Sequence, residues 1–474
     1  MKNNFTFLTN KWLQFIFAFA IMFIFLYAQN SLISGSGDAI ETWKVAKTFF
    51  SINPENSYVM YKGLWAIFPN VVFYQLSQSL GTDEFLFVKF FNAFLFAYIT
   101  AIGLPYFINY ILGNRSRNYR VYILIVLLFL IIRGNFNFIS VDAPCIAILL
   151  FASNCVIKIS EKDTTTSAFM YILVGSAIAL LASFSGQFMP AAICLFVYII
   201  IKNVKWSILS TKKGIVKVLV IAFCFILGFS LIKGPETYYF ETRVETARAN
   251  GAWLPSGKDW LQYGLAASLM SMDLSITPDN RGTAILINEG QDLEALKAGA
   301  MIYTFKQSIG LVLKYPADYI VRWLNRLFEG ISLNDGKNSI IFLLFSYSAL
   351  YLALISLKRR CSELNNVLKP KSLIVLAWIL PSLVPALLHV ELRYFMSIQI
   401  LIFSVSIYDE FVWDIIKDRT NYLKNRVKKH EKNKKPIKIN YTLIAYIVFI
   451  LLCFMLYATQ NELRGADPSI LFSI

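Results

Sequence analysis

Eleven long apolar runs dominate this sequence, and a backbone crossing hydrocarbon must satisfy its own polar groups, so each run is expected to form a helix. The runs are Trp12 to Ile33, Phe85 to Leu112, Val121 to Ile132, Ile139 to Ile157, Ala168 to Gly186, Phe188 to Ile201, Ile215 to Ile232, Ile340 to Leu357, Leu373 to Leu388, Tyr394 to Trp413 and Tyr441 to Thr459. With 57% hydrophobic and 16% charged residues in a chain of 474, the expectation is an all-α polytopic membrane protein. Lys2 and Lys11 precede the first run as in a signal peptide, but its core is long and no A-x-A site follows, so a retained anchor is expected.

The formal net charge of +16 raises nucleic acid as a partner, but topology explains it better. With the N-terminus inside, the segments Gly113 to Arg120, Lys158 to Ser167, Lys202 to Gly214, Lys358 to Ser372 and Asp414 to Asn440 share the inner face. Together with the N-terminus and the span edges they hold 27 Lys+Arg against 8 Asp+Glu, and the outer face holds 18 against 21. That is the positive-inside bias of an inserted protein, and no nucleic-acid partner is needed to account for it. The assignment requires Gly63 to Leu80 to be an outer interfacial helix and not a span; Pro69-Asn70 interrupts this stretch, and Gln75, Ser77 and Gln78 follow. Cys145, Cys155, Cys194, Cys224, Cys361 and Cys453 all fall in spans or inside, so no external disulfide is expected.

Three regions follow from this map. Residues 1–232 form an N-terminal transmembrane module whose first outer loop is 34–84. Residues 233–339 form a second outer loop, in which Ala300 to Ile331 reads as two amphipathic helices centred on Lys314-Tyr-Pro316. Residues 340–474 form a C-terminal module with a basic inner linker, 414–440, which reads as a solvated loop against anionic membrane lipid.

Chemistry is expected on the outer face. Asp38 and Glu41, behind the turn Ser34-Gly-Ser-Gly37, share one face if the segment is helical, though acids also suit a first helical turn. Asp142 in Ser140-Val-Asp-Ala-Pro144 is a good helix start and sits at the same level as those acids. His389-Val-Glu391-Leu-Arg393-Tyr394 packs ionisable groups into a short outer turn. Glu391 and Arg393 could form a salt bridge; the preferred reading presents Arg393 to a lipid phosphate, because guanidinium matches phosphate geometry. The sequence has no P-loop or dinucleotide fingerprint, its two histidines make no metal constellation, and no inverted repeat or mid-span charge cluster marks a transporter.

Taken together, the acidic motif after the first span, Tyr61-Lys-Gly-Leu-Trp65 to Leu80-Gly81, Phe85-Leu-Phe-Val-Lys89, the Asp142 span, Lys314-Tyr-Pro316 and His389-x-Glu391-x-Arg393-Tyr394 resemble polytopic GT-C glycosyltransferases. The nearest likeness is to bacterial serotype-converting O-antigen glucosyltransferases. The resemblance implies a GT-C-like fold in the bacterial inner membrane, N-terminus cytoplasmic and C-terminus periplasmic. It implies inverting transfer of a hexose, glucosyl for preference, from a polyprenyl-phosphate donor to a periplasmic glycan such as lipopolysaccharide O-antigen. A donor synthase and a flippase are candidate partners.

Carried over by position, Asp38 is the candidate base, with Glu41 its neighbour or substitute, and Asp142 orients the acceptor or supports the site. Arg393 is the first phosphate partner, with His389 nearby and Lys89, Arg243 and Arg281 as weaker candidates. Trp43, Tyr58, Tyr61, Trp65, Glu391 and Tyr394 are candidate sugar or acceptor contacts. No cofactor is implied; a divalent metal near the clustered acids is compatible with the spacing but not demanded by it. Some relatives carry adjacent acids in the first loop, whereas Asp38 and Glu41 are separated by two residues, which leaves the choice of base open. A lipid-linked sugar flippase and an O-antigen polymerase are the rival readings. The topology predicts that a reporter fused at Ser116 behaves as cytoplasmic; an external signal there would redraw the map.

Overall fold

The computed structural model describes residues 10–33, 37–50, 63–113, 119–161, 168–203, 212–238, 245, 249, 265, 304–332, 340–363, 371–387, 392–409 and 441–464. Among these residues 91% are helical and none lies in a strand, as the apolar runs predict. In chain order the helices are α1 (Lys11–Tyr27), α2 (Gly37–Thr48), α3 (Leu64–Leu80), α4 (Leu86–Leu112), α5 (Tyr119–Ile132), α6 (Asp142–Glu161), α7 (Ala168–Phe184), α8 (Met189–Asn203) and α9 (Lys212–Glu236). Then come α10 (Phe305–Lys314), α11 (Pro316–Ser332), α12 (Ile340–Glu363), α13 (Lys371–Ala386), α14 (Met396–Tyr408) and α15 (Tyr441–Arg464).

Among the described residues, four stretches are long and apolar enough to cross a membrane: Leu86–Leu112, Tyr119–Phe136, Asp142–Glu161 and Gly214–Glu236. Seven more apolar helices of 10–17 residues occupy the other predicted runs. The outward surface of α9 is hydrocarbon-like: Val216, Leu219, Phe223 and Ile226 are each about 60% exposed or more. A surface of that kind suits lipid better than water.

Because lipid tails are as apolar as leucine, helices within a bilayer hold together by close packing and polar contacts. The α7–α9 crossing shows both. A Cβ added at Gly228 would collide with the carbonyl of Ile172, and one at Gly175 with the carbonyl of Phe225, so the two backbones lie against each other. The Ser176 hydroxyl donates to the Gly228 carbonyl at 2.9 Å across the same crossing. α4 contains a π-helical stretch, Tyr98–Gly103, whose last carbonyl accepts from Asn154 Nδ2 of α6 at 3.1 Å. A widened turn that exposes a carbonyl within an apolar setting needs such a donor.

The predicted interfacial helix is α3. Its entry residue Gly63 has φ 85°, a positive value that favours glycine, and a Cβ there would stand 2.8 Å from the Glu236 carboxylate. Glu236 in turn accepts from Ser183 at 2.7 Å and pairs with Lys233 at 2.6 Å.

Lys314-Tyr-Pro316 is the break between α10 and α11, as the sequence predicts. Pro316 supplies the fixed φ of a first helical position. α10 begins on a capping box between Thr304 and Gln307. On α11 Arg326 and Glu329 are buried, alongside Trp323, Leu327 and Ile331 packed on the cluster around Phe395, whereas Ile320, Val321 and Leu324 are more than half exposed. An interfacial helix with its apolar face turned to lipid has this arrangement.

Substituting Gly228→Val should force α7 and α9 apart and lower stability by about 1–3 kcal/mol. The check is earlier thermal unfolding in detergent, with faster thiol labelling of Cys224, which is 7% exposed one turn away.

Candidate functional site

The site grows from the irregular segment that returns the chain from α5 to α6. Its backbone is pinned twice: Asn92 Nδ2 of α4 donates to the Phe136 carbonyl at 2.9 Å, and the Ile139 amide donates to the Leu32 carbonyl at 3.1 Å. The second bond lays the segment entering α6 alongside the segment leaving α1, six residues before Asp38. Asp142 opens α6 with Pro144 in the first turn, and the residue is 2% exposed. Burying a carboxylate this deeply demands compensation. Gln187 Nε2, from the turn between α7 and α8, stands 3.4 Å from Oδ1, and Arg393 Nε stands 3.8 Å from Oδ2.

Arg393 lies in the single 3-10 turn Leu392–Phe395 before α14, and its side chain is 19% exposed. Tyr394 braces it twice: Arg393 Nη2 donates to the Tyr394 hydroxyl at 3.3 Å, and the guanidinium carbon is 5.2 Å from the ring centroid. The turn is itself held. The Ser382 hydroxyl donates to the Tyr394 carbonyl at 3.0 Å, and Phe395 is fully buried against Gly330 of α11, where a Cβ would strike its ring. Gln399 Nε2 donates to the Gly330 carbonyl at 2.6 Å, Trp323 Nε1 to the Leu383 carbonyl at 3.3 Å, and Arg326 to the Leu387 carbonyl at 3.4 Å. Thus α11 is the buttress of the Arg393 turn.

The structure brings together Asp142, Arg393 and Tyr394, the first two as an ion pair and the third as a brace. Sequence reasoning missed Gln187 and the α11 supports, because glutamine in a short turn and arginine on an amphipathic helix carry no local signature of their distant partners. Asp38 lies in the first turn of α2, which confirms the helix that places it and Glu41 on one face, but its side chain is outside the described residues. Glu41 pairs with Lys44 at 2.6 Å on the surface. Tyr58, Tyr61, Arg243, Arg281, His389 and Glu391 lie outside the described residues.

Two expectations are corrected. Lys89 is not presented to a ligand phosphate: its side chain is 4% exposed and bound to Asp83 at 2.9 Å, beside the Tyr27 ring. Burial forces a lysine to take the nearest counter-charge, which here comes from the turn just before its own helix. Trp43 is not a sugar-stacking face: it is 1% exposed, packed between Tyr74 and Phe85, and joins α2 to the bundle. Trp65 serves a fastening role, its Nε1 donating to the Ile232 carbonyl at 2.9 Å and tying α3 to α9. Among the described residues no group of three His, Cys, Asp or Glu could hold a metal ion.

The fold and site define an all-helical, membrane-type bundle with an arginine–aspartate pair buried at one end. Compared with protein-family models, curated proteins and solved structures, the chain matches none.

Arg393→Met should lower stability by about 1–3 kcal/mol, less than the loss of a fully buried pair because the arginine is partly exposed. Adding Asp142→Asn should recover part of that loss, since the double variant no longer strands a buried carboxylate. A thermal-unfolding cycle over the four proteins measures the coupling.

Proposed function

We propose that this chain is a GT-C-type membrane glycosyltransferase, with about 11 spans in a bacterial inner membrane. Its donor is a hexose on polyprenyl phosphate, and its acceptor is a periplasmic glycan such as lipopolysaccharide O-antigen. The observation that carries the reading is the Arg393–Asp142 pair, seated at the end of the bundle where the Leu32–Ile139 bond ties the end of the first run, just before the first outer loop. A guanidinium 3.8 Å from a buried carboxylate and braced by Tyr394 suits recognition of a phosphate at the membrane surface.

In this mechanism the Asp38 carboxylate takes the proton of an acceptor hydroxyl as the hydroxyl oxygen attacks the anomeric carbon. The bond from the anomeric carbon to the phosphate oxygen breaks, the lipid phosphate leaves with the bonding pair, and Arg393 offsets its charge. Attack from the face opposite the leaving group inverts the centre. Asp142 positions Arg393, and Glu41 remains in its surface pair with Lys44. Asp38 is assigned as base because it precedes Glu41 on α2, closer to the tethered residue Leu32.

Asp38→Asn should abolish glycan modification while donor binding persists, and Glu41→Gln should retain activity. Surface glycan profiles of cells carrying each variant decide the point, and full modification by both variants would remove the mechanism. Arg393→Ala should weaken donor binding by about tenfold or more, the scale of a charge-assisted hydrogen bond.

A further inference from the structure

We infer that the cavity between α3, α4, α6 and α7 is a seat for one ester-linked acyl chain of a membrane glycerolipid, separate from the Arg393 site. The cavity has a volume of about 510 Å³, within the ordinary range of ligand sites. On α6 its lining residues are Pro144, Ala147, Ile148 and Phe151, one face of the helix by their spacing. Asp142 projects from the opposite face, so α6 itself stands between the cavity and the ion pair.

The polar residues of the lining are Ser140, on the segment entering α6, with Asn70, Asn92, Tyr98 and Ser176; the rest of the wall is aliphatic and aromatic apart from backbone. Ser176 already donates to the Gly228 carbonyl at 2.9 Å. The Ser140 hydroxyl oxygen is buried and has no hydrogen-bond partner. Asn92 uses its amide nitrogen on the Phe136 carbonyl. A buried hydroxyl that lacks a protein partner is best explained by a ligand or water that supplies one. A carbonyl-bearing ester meets that need, with the hydroxyl donating.

No Lys, Arg, His, Asp or Glu lines the cavity, so it offers nothing to offset a phosphate. That feature favours a neutral ester over a prenyl phosphate as the group held within. Phe94 and Phe151 line the cavity and are 45% and 37% exposed, which opens it sideways to the lipid-facing surface. A chain can therefore enter from the bilayer without passing through water.

The test uses the full chain in vesicles of a diacyl phospholipid containing a trace of the same lipid with a diazirine in one acyl chain. Photolysis and peptide mapping should place label on residues 144–151 and 173–184, in addition to the general labelling of the exposed α9 surface. Ala147→Phe fills the cavity and should reduce the first label by about tenfold, leaving the α9 label unchanged. Ser140→Ala removes one neutral hydrogen bond at no cost in packing and should reduce it by about three- to tenfold. Cavity labelling that survives both variants overturns the inference, as does displacement of the acyl probe by a prenyl phosphate at equal concentration. The readout is labelling and not sugar transfer, so the result stands whatever becomes of the proposed enzymatic activity.

Discussion

The contact between Arg393 and Asp142 is the constraint around which this molecule is arranged. A carboxylate 2% exposed at the start of a long apolar helix is tolerable only with a cation and donors brought to it, and the cation comes from 251 residues further along the chain. Supplying it requires the α13–α14 turn to sit over the α6 start, which in turn requires α11 to hold that turn through Gly330, Trp323 and Arg326. The other end of α14 is tied by a second arginine: Arg120, 2% exposed, donates to the Tyr408 carbonyl at 2.9 Å. One helix of the C-terminal module is thus gripped at both ends by arginine contacts with the N-terminal module.

Between those ends the helices are joined by a different economy. Much of the outward surface is apolar, so burying more hydrocarbon gains little in a bilayer, and association rests on backbone approach and internal hydrogen bonds. Gly175 and Gly228 permit the α7–α9 approach, Asn154 satisfies the carbonyl freed by the π-helical stretch of α4, and Trp65 fastens α3 to α9. The same logic explains α11, where Arg326 and Glu329 face the protein beside Leu327 and Ile331, and Ile320, Val321 and Leu324 face outward. Its burial pattern is that of a helix selected for an interface between lipid and protein.

Much of the architecture is legible in the sequence because the helical signal is local. Apolar runs bounded by charge or by Gly and Pro mark most of the helices, and Lys314-Tyr-Pro316 marks the α10–α11 break by the fixed φ of proline. Asp142 and Arg393 are legible as candidates because ionisable groups at the edge of apolar runs are costly and so need a reason. Their pairing is not legible, since nothing near either residue specifies the other. Lys89 and Trp43 show the reverse failure. Both look like residues offered to a ligand, yet Lys89 turns to Asp83 and Trp43 turns inward to Tyr74 and Phe85, because burial rewards the nearest compensating neighbour. In the sequence Ser140 is only part of a helix start; that it lines a cavity depends on where α3, α4 and α7 pass.

By itself the sequence determined that this protein is helical and rich in segments suited to a membrane, because hydrogen bonding along a helix and the apolar character of its side chains are settled within a few turns. It also determined the charge bias between the two sets of connecting segments. Only the tertiary structure decided which acid meets which base, which tryptophan is core, and that α6 separates a charged site on one face from an uncharged cavity on the other. Those outcomes depend on contacts between residues tens to hundreds of positions apart, and long-range contacts are chosen by the packing of whole helices and not by the residues on either side of them.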